Sequence, residues 1–236
     1  MSAYPKGVCV VSLDDTYAGQ SLLIDHMLSR GWRGTLYPVL QGFRYAQKGS
    51  ASYLPMEKAK IAVSNGWEVG VHCTTYDVHT RYGSIGRRGA RQDLTASRDW
   101  LVRNGFPNPE TMAYPLGRCN DGQADGVRGL VAAARTITST ATISNTQIPH
   151  DMLRIKSMSG VAGQGGPASP SLAWWQRAAD TGSFVVLTVH DVTSGASGGV
   201  NQASLSSLSA IFDSIATVGM AVRPMREVVS QILYRP

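Results

Sequence analysis

Apolar positions recur along the chain with two different spacings, which alternate from one end to the other. Short apolar runs such as VCVVSL at 8–13 are typical of strands, whereas longer runs such as 88–104 carry apolar residues on one side of a helix. The strand-like runs lie at 8–13, 34–40, 67–72, 111–115, 135–139, 152–158 and 184–190. The helix-like runs lie at 18–30, 55–65, 88–104, 122–134, 170–181 and 203–218. The alternation predicts an α/β fold in which about seven parallel strands form a sheet or barrel.

Two segments are expected to form open loops. Segment 159–170 (SGVAGQGGPASP) is rich in Gly, Ser and Pro, and segment 40–50 (LQGFRYAQKGS) follows the second strand-like run. Because the alternation resumes after residue 170, we expect one domain over residues 1–236 rather than two domains joined by a linker.

Composition narrows the class of partner. Only 16% of the 236 residues are charged, and the formal charge of +6 with a pI near 9.4 indicates an anionic partner, such as nucleic acid or an acidic polymer. The one basic cluster, RRGAR at 87–91, has no nucleic-acid motif beside it, so we expect no nucleic-acid partner. No apolar run reaches the roughly 18 residues of a membrane span.

The cysteines and the start of the chain leave the compartment open. Cys9 lies in an apolar run and is expected in the core, while Cys73 and Cys119 are compatible with one disulfide that nothing in the sequence demands. The opening MSAYPKG lacks the form of a signal peptide. The protein is therefore made without one, or the sequence is that of a mature or excised domain.

Chemically competent side chains follow four of the predicted strands. The carboxyl ends of parallel strands are where α/β proteins gather their ligands, so these residues are expected to meet at one edge. They are Asp14 and Asp15, His72, Tyr114 with Pro115, and His190 with Asp191.

The adjacent carboxylates Asp14 and Asp15 repel each other unless something binds beside them. One carboxylate and two imidazoles form a common ligand set for a divalent metal, with positions left for water and substrate. Asp15, His72 and a second histidine would form such a set, leaving Asp14 free to accept a proton. His190, from the opposite side of a barrel, would donate one. Alternatively, Asp15 caps a helix that begins near Tyr17.

Four segments resemble, in order, the motifs of the polysaccharide deacetylase family, the NodB-homology domain of carbohydrate esterase family 4. They are SLDDT, EVGVHCTTYDVH, MAYPLGR and VVLTVHD, and the closing GMAVRPMREVV is also similar. The resemblance covers residues 8–233. It implies a distorted (β/α) barrel and a metal-dependent hydrolase, with Zn²⁺ as the first cofactor candidate. The implied substrate is an N-acetylated polysaccharide such as peptidoglycan, a chitin-like polymer or an exopolysaccharide.

The resemblance also implies a role for each matching residue. The catalytic group comprises Asp14 as general base, His190 as general acid and the backbone N–H of Leu116 as oxyanion donor. The metal ligands are Asp15, His72 and His79, and the substrate-binding residues are Leu187, at the acetyl methyl, with Tyr114 and Pro115. The loops 40–50 and 159–170 would contact the sugar.

The second motif departs from the family pattern, which places a histidine four positions after the first. Position 76 is Tyr, and the next histidine, His79, lies seven positions after His72. Seven residues of continuous helix would separate the two by about 10.5 Å, too far for one ion. We therefore predict an irregular loop that lets His79 fold back, with Asp77 as the alternative ligand ahead of Tyr76.

Two further departures concern the base. Ala113 stands where the family often has an arginine paired with the base, so Arg118 or Arg154 would pair with Asp14. Thr16 replaces the usual glycine after the aspartates and is expected to alter only the entrance to the site.

Other functions remain open at this point. An O-acetyl esterase, or an amidase with a non-sugar substrate, would use the same groups. A non-catalytic glycan-binding module of a phage tail or cell-surface assembly would explain Tyr76 and Ala113, but it would not need Asp14 and His190. We expect an extracellular, cell-surface or virion-associated protein.

Overall fold

The computed structural model describes residues 4–138, 149, 151–159, 169–196, 199 and 201–233. The strands are β1 (Val8–Asp14), β2 (Thr35–Tyr37), β3 (Glu68–Val69), β4 (Thr111–Ala113), β5 (Ala133–Arg135), β6 (Met158–Ser159), β7 (Phe184–Val189), β8 (Asp191–Thr193), β9 (Gln202–Ser204) and β10 (Ala221–Val222). The α-helices are α1 (Gln20–Ser29), α2 (Leu40–Gln47), α3 (Met56–Ser64), α4 (Tyr76–Arg81), α5 (Gly86–Arg103), α6 (Asp121–Val127), α7 (Leu172–Asp180), α8 (Leu205–Thr217) and α9 (Met225–Leu233).

Strands β1 to β7 form a closed ring through parallel pairing. β3, β2, β1, β7 and β6 lie side by side in that order, and β4 pairs with β5 in a separate piece. Isolated bridges join the two pieces: Val71 pairs with Met112 on one side, and on the other Arg135 pairs with Ile155 and Thr138 with Met158. The thin pairing at these two places makes the barrel irregular. The predicted distorted (β/α) barrel is confirmed, with its carboxyl strand ends at one mouth.

Strand β1 shows how sequence alternation builds the barrel wall. Side chains on a strand point alternately to its two faces. Alternate residues from Cys9 to Leu13 pack in the larger apolar cluster, which includes the helices, whereas Val8 and Val10 pack inside with residues of α9. The last inward position of the strand is Asp14, which therefore stands at the mouth of the barrel.

Helix α9 closes the amino end of the barrel. The backbone N–H of Met225 donates to the Thr35 hydroxyl, and that of Arg226 donates to the Glu68 carboxylate, each at 2.8 Å. Glu68 also accepts hydrogen bonds from the hydroxyls of Thr35 and Thr111, at 3.0 and 2.6 Å. Because this end is filled, the carboxyl end is the one left to present functional groups.

Several predicted boundaries were wrong. Segment 40–50 is not an open loop, because Leu40 and Phe43 bury one face of α2 at helical spacing. The helix expected over 122–134 ends at Val127, and Gly129 follows with φ 74°, a conformation that terminates helices. The strand expected over 152–158 is reduced to β6. Most of the expected loop 159–170 lies outside the described residues.

Two general expectations can be compared with the structure. Cys9, Cys73 and Cys119 are all free thiols, so the disulfide that the sequence left open is not formed. Within the described ranges, none of the helices is both long and apolar enough to cross a membrane.

Candidate active site

Four strands deliver polar side chains to the mouth of the barrel. Asp14 ends β1, His72 follows β3, Arg135 ends β5 and His190 follows β7. β7 is the direct neighbour of β1, with Leu13 paired to Val189, so His190 flanks Asp14 instead of arriving from the opposite side as predicted.

Asp15, His72 and His79 form a compact cluster. The Nε2 atoms of His72 and His79 lie 3.2 and 3.1 Å from Asp15 Oδ1. One ligand atom from each residue can be chosen so that all three lie within 4.8 Å of one another. His190 stands at the edge of the cluster, with Nε2 3.9 Å from Asp15 Oδ2. The structure thus brings together the three residues that the sequence nominated as metal ligands.

The donor set fits a cation. His72 Nδ1 lies 2.7 Å from the carbonyl oxygen of Ala113, which can only accept, so Nδ1 carries a proton and the Nε2 lone pair of the neutral ring faces Asp15. Asp15 Oδ1 is buried and accepts no hydrogen bond from the described residues. Electron pairs facing each other at this distance require a proton or a metal ion between them. Two imidazoles and a carboxylate suit Zn²⁺.

The close approach of Asp15 to the two histidines also shifts the pKa values of the cluster. Burial raises the pKa of Asp15, but the adjacent His72 and His79 outweigh it and leave the pKa below its usual range. Burial lowers the pKa of His72, yet Asp15 and Asp14 more than offset this and raise it. The site therefore holds positive charge tightly, whether a proton or a metal ion supplies it.

His79 reaches the cluster from a helix, not from the irregular loop that was predicted. Residues between His72 and Thr75 are not helical, and the Thr75 hydroxyl then caps α4 by accepting from Val78 N–H at 3.2 Å. The turn before α4 shortens the path that a continuous helix would have made too long. Asp77, the alternative ligand, is exposed and pairs with Arg81.

Tyr76 contacts the main chain of the cluster and is not one of its three ligand residues. Its hydroxyl donates to the backbone carbonyl of Asp15 at 2.7 Å. Its own N–H donates to Gln41 Oε1 at 2.9 Å. The residue that replaces the expected histidine therefore fixes the main chain of a nominated ligand.

The partner of Asp14 is Arg135, and the prediction of Arg118 or Arg154 was wrong. Arg135 is fully buried inside the barrel, where Nη2 donates to Asp14 Oδ1 and Nε donates to Ser12 Oγ at 3.1 Å. Arg154 instead pairs with Asp151 and Asp121 at the surface. Arg135 could have been nominated from the sequence, because it begins the strand-like run 135–139 and a charged residue in a buried strand needs a partner.

Gln20 links the two predicted proton-transfer residues and was missed from the sequence. Its side chain is buried, and its amide donates to the carbonyl oxygens of both Asp14 and His190, the latter at 2.9 Å. Nearby, Gly19 packs so closely on β8 that an added Cβ would lie 1.9 Å from the Val192 carbonyl. The first turn of α1 therefore holds the ends of β1 and β7 together.

The turn after β1 is strained. Asp15 and Thr16 have φ values of 70° and 68°, in the left-handed region that non-glycine residues rarely occupy. The Thr16 hydroxyl donates to the Val39 carbonyl at 3.0 Å, and the side chain is buried against Gly42, so it does not shape the entrance as predicted. Asp15 is not a helix cap, because α1 begins at Gln20.

The third motif forms a tight turn at the mouth. Tyr114 and Pro115 are buried, so they support the turn rather than offering side-chain surface to a substrate. Leu116 has φ 56° and is 44% exposed, so the residue lies at the surface of the turn. The position is compatible with the predicted backbone role of Leu116.

Leu187 does not lie where a pocket residue would. It is fully buried in the cluster between the barrel and the helices. Strand alternation puts the neighbouring Thr188 on the inner face, where its hydroxyl donates to Ser157 Oγ at 2.9 Å. His190 continues that inner face, so the prediction of Leu187 as a lining residue chose the wrong side of the strand.

Comparison with known proteins identifies the fold. No protein-family model matches the chain, and no curated protein is similar to it in sequence. The Xyl-CE4 domain of a multidomain xylanase from the hindgut metagenome of Trinervitermes trinervoides matches with a TM-score of 0.60 and 13% identity, over 98% of this chain and 93% of that one. A family 4 acetyl xylan esterase from Clostridium thermocellum, in complex with a cobalt ion, matches with a TM-score of 0.56 and 13% identity, over 94% and 90%. A CE4 family pseudoenzyme from Bacillus anthracis matches with a TM-score of 0.57 and 13% identity, over 96% and 66%.

The chain therefore has the NodB-like fold of carbohydrate esterase family 4. The segments that resemble its motifs lie at the carboxyl ends of β1, β3, β4 and β7, and Arg135, at the end of β5, pairs with Asp14. At this level of identity the likeness defines the fold, and any activity has to be argued from the site.

Proposed function

We propose that the protein is a metal-dependent hydrolase that removes acetyl groups from N-acetylated sugars of a polysaccharide. The observation that carries the proposal is the meeting of Asp15, His72 and His79 beside Asp14 and His190 at one barrel mouth. A divalent cation held by the first three residues would polarise the acetyl carbonyl and make water more acidic.

Asp14 is placed to act as the general base. Arg135 donates to Asp14 Oδ1, while Asp14 Oδ2 lies 4.0 Å from His72 Nε2 and so faces the cluster. The ion pair holds the carboxylate in one orientation, and the second oxygen, on the side of the cluster, would accept the proton of the attacking water. His190, on the neighbouring strand, is placed to protonate the departing amine.

The backbone N–H of Leu116 is proposed to bind the developing oxyanion. A rigid donor of this kind stabilises charge that develops in the transition state. The left-handed φ of Leu116 belongs to a turn in which Gly117 N–H donates to the Tyr114 carbonyl at 2.9 Å. The turn fixes the direction of the peptide before substrate arrives.

An O-acetyl esterase is the second candidate. The C. thermocellum neighbour is an acetyl xylan esterase, and the same groups would expel an alkoxide instead of an amine. A non-catalytic role also has a precedent on this fold, in the B. anthracis pseudoenzyme. Because the proposed substrates are surface polysaccharides, we propose an extracellular, cell-surface or virion-associated site of action.

Acetate release from a panel of N- and O-acetylated glycans tests the proposal. We expect release that stops on chelation, returns with Zn²⁺, and falls at least about 100-fold in Asp14→Asn, the effect typical of losing a general base. Because Asp14→Asn leaves the buried Arg135 without its anionic partner, circular dichroism verifies that the variant is folded, and the folded variant should still bind Zn²⁺. Release only from O-acetylated glycans would select the esterase. No release from a protein with verified metal would select the binding module.

A further inference from the structure

Three tyrosines pack together beside the cluster of Asp15, His72 and His79, and we call them the tyrosine platform. They are Tyr45 on α2, Tyr53 after it and Tyr76 at the start of α4. Ring centroids are 5.3 Å apart for Tyr45 and Tyr53, 5.7 Å for Tyr53 and Tyr76, and 6.5 Å for Tyr45 and Tyr76. All three are partly exposed, and none belongs to the apolar core clusters. The rings therefore present aromatic surface outside the core.

The platform is continuous with the candidate active site. The Tyr76 hydroxyl donates to the Asp15 carbonyl at 2.7 Å, and His79 lies on the same short helix. On the other side, Tyr17 forms an antiparallel bridge with Tyr53.

The side chain that hydrogen-bonds the platform is a neutral amide. Gln41 donates to the Tyr45 hydroxyl at 2.6 Å and accepts from Tyr76 N–H at 2.9 Å. Arg44, the neighbouring cation on α2, lies over the Trp100 ring, 5.7 Å from its centroid. Aromatic faces edged by hydroxyl and amide groups suit a ligand with apolar C–H faces and many hydroxyls, and they do not select an anion.

We propose that the tyrosine platform binds a neutral pyranose ring of the glycan, next to the sugar whose acetyl group faces Asp15, His72 and His79. The inference rests on the proposed function, and it adds a subsite that determines which polymers are accepted. The C–H face of the sugar packs on the exposed rings, and its hydroxyls exchange hydrogen bonds with the phenols. Tyr76 links occupancy of this subsite to the main chain of Asp15.

Steady-state kinetics on two kinds of substrate provide the first test. The oligosaccharides are a fully N-acetylated chitin pentasaccharide and an acetylated xylan oligosaccharide, and the small substrate is an aryl acetate without a sugar. In Tyr45→Ala and Tyr53→Ala we expect kcat/KM on an oligosaccharide, divided by kcat/KM on the aryl acetate, to fall about tenfold. The loss should appear mainly in KM, and Tyr45→Phe should recover most of it. The Zn²⁺ content of each variant verifies that the cluster of Asp15, His72 and His79 is intact.

Trp32→Ala is the matched control. Trp32 is also a partly exposed aromatic residue, packed on Phe212 with centroids 5.4 Å apart, but it lies between α1 and β2 at the amino end of the barrel. We expect it to leave the substrate ratio unchanged. A ratio unchanged in Tyr45→Ala and Tyr53→Ala as well would overturn the platform while leaving the hydrolase proposal standing.

Calorimetric titration of His190→Ala with the same oligosaccharides separates binding from turnover, because this substitution removes the proposed general acid and leaves the Asp14–Arg135 pair intact. Binding that weakens about tenfold when Tyr53→Ala is added supports the platform, even if the unsubstituted protein releases no acetate; the hydrolase proposal alone would then fail. Binding that is insensitive to both tyrosine substitutions overturns the platform. Absence of both binding and turnover with every substrate overturns both proposals.

Discussion

The guanidinium of Arg135 pairs with the carboxylate of Asp14 inside the barrel, where both side chains are at most 1% exposed. The two residues come from strands β5 and β1, which are not neighbours in the ring. The pair therefore ties the predicted base to the opposite part of the wall.

Removing one partner of this pair should be strongly destabilising. We expect Arg135→Met to lower the free energy of unfolding by about 3–5 kcal/mol, because Asp14 is left as an uncompensated buried charge. Adding Asp14→Leu should recover most of the loss. Urea unfolding followed by circular dichroism measures both. Arg154→Ala is the control, since this half-buried surface arginine should change stability by less than about 1 kcal/mol. Equal effects at the two arginines would contradict the ion pair.

The cluster of Asp15, His72 and His79 predicts a contrast between two residues of α4. We expect His79→Ala to weaken Zn²⁺ binding at least about 100-fold, because a ligand and its lone pair are lost. Asp77→Ala, two residues earlier and paired with Arg81, should bind Zn²⁺ like the unsubstituted protein. Calorimetric titration and metal content after dialysis provide the measurement. Retention of tight binding by His79→Ala would show that the cluster is not the metal site.

The strained turn predicts an unusual order of stability at position 16. Thr16→Ala keeps a Cβ at φ 68° and removes the hydroxyl that donates to the Val39 carbonyl. Thr16→Gly also removes the hydroxyl but relieves about 1–2 kcal/mol of left-handed strain. We therefore expect the glycine variant to be the more stable by about 1–2 kcal/mol in urea unfolding. The reverse order would mean that the turn is not under strain.

Buried Glu68 predicts a pH dependence of stability. Burial raises the pKa of Glu68, although hydrogen bonds from Thr111, Arg226 N–H and Thr35 partly offset it. A raised pKa in the folded state means that the stabilising contribution is present below the unfolded pKa of about 4.3 and is lost as pH rises through the folded value.

Glu68→Gln should therefore gain stability relative to the unsubstituted protein as pH rises from about 4 through the raised pKa, and the difference should then level off. Urea unfolding at a series of pH values gives the comparison. Glu57→Gln, on the exposed side of α3, is the reference substitution. A difference between Glu68→Gln and the unsubstituted protein that stays constant with pH would exclude this account.

Gln20 predicts coupling between the two strand ends. Gln20→Leu leaves the carbonyls of Asp14 and His190 without their donor, and we expect a loss of about 2 kcal/mol in stability. If the protein is a hydrolase, kcat should also fall roughly 10- to 100-fold, since small misplacements of catalytic groups are costly. Gln176→Leu, at the exposed face of α7, should do neither. A normal kcat in Gln20→Leu would reduce Gln20 to a structural role.

The strand–helix alternation and the order of polar strand ends were readable from sequence. Period-2 apolar runs and terminal polar residues are local properties, and they identified the barrel, Asp14, Asp15, His72 and His190. The errors fell where several elements meet. To orient Leu187 correctly, one must know which face of β7 points into the barrel. To predict α2, one must know which of its faces is buried.

The sequence by itself determined the alternation of strands and helices and the chemical groups that stand at the strand ends, because both follow from residue type and spacing. Only the tertiary structure decided that Arg135 faces Asp14, that a helix carries His79 to Asp15, and that Gln20 joins Asp14 to His190. These contacts join residues from 6 to 170 positions apart in the chain. Their formation depends on barrel closure and register, which no short segment specifies.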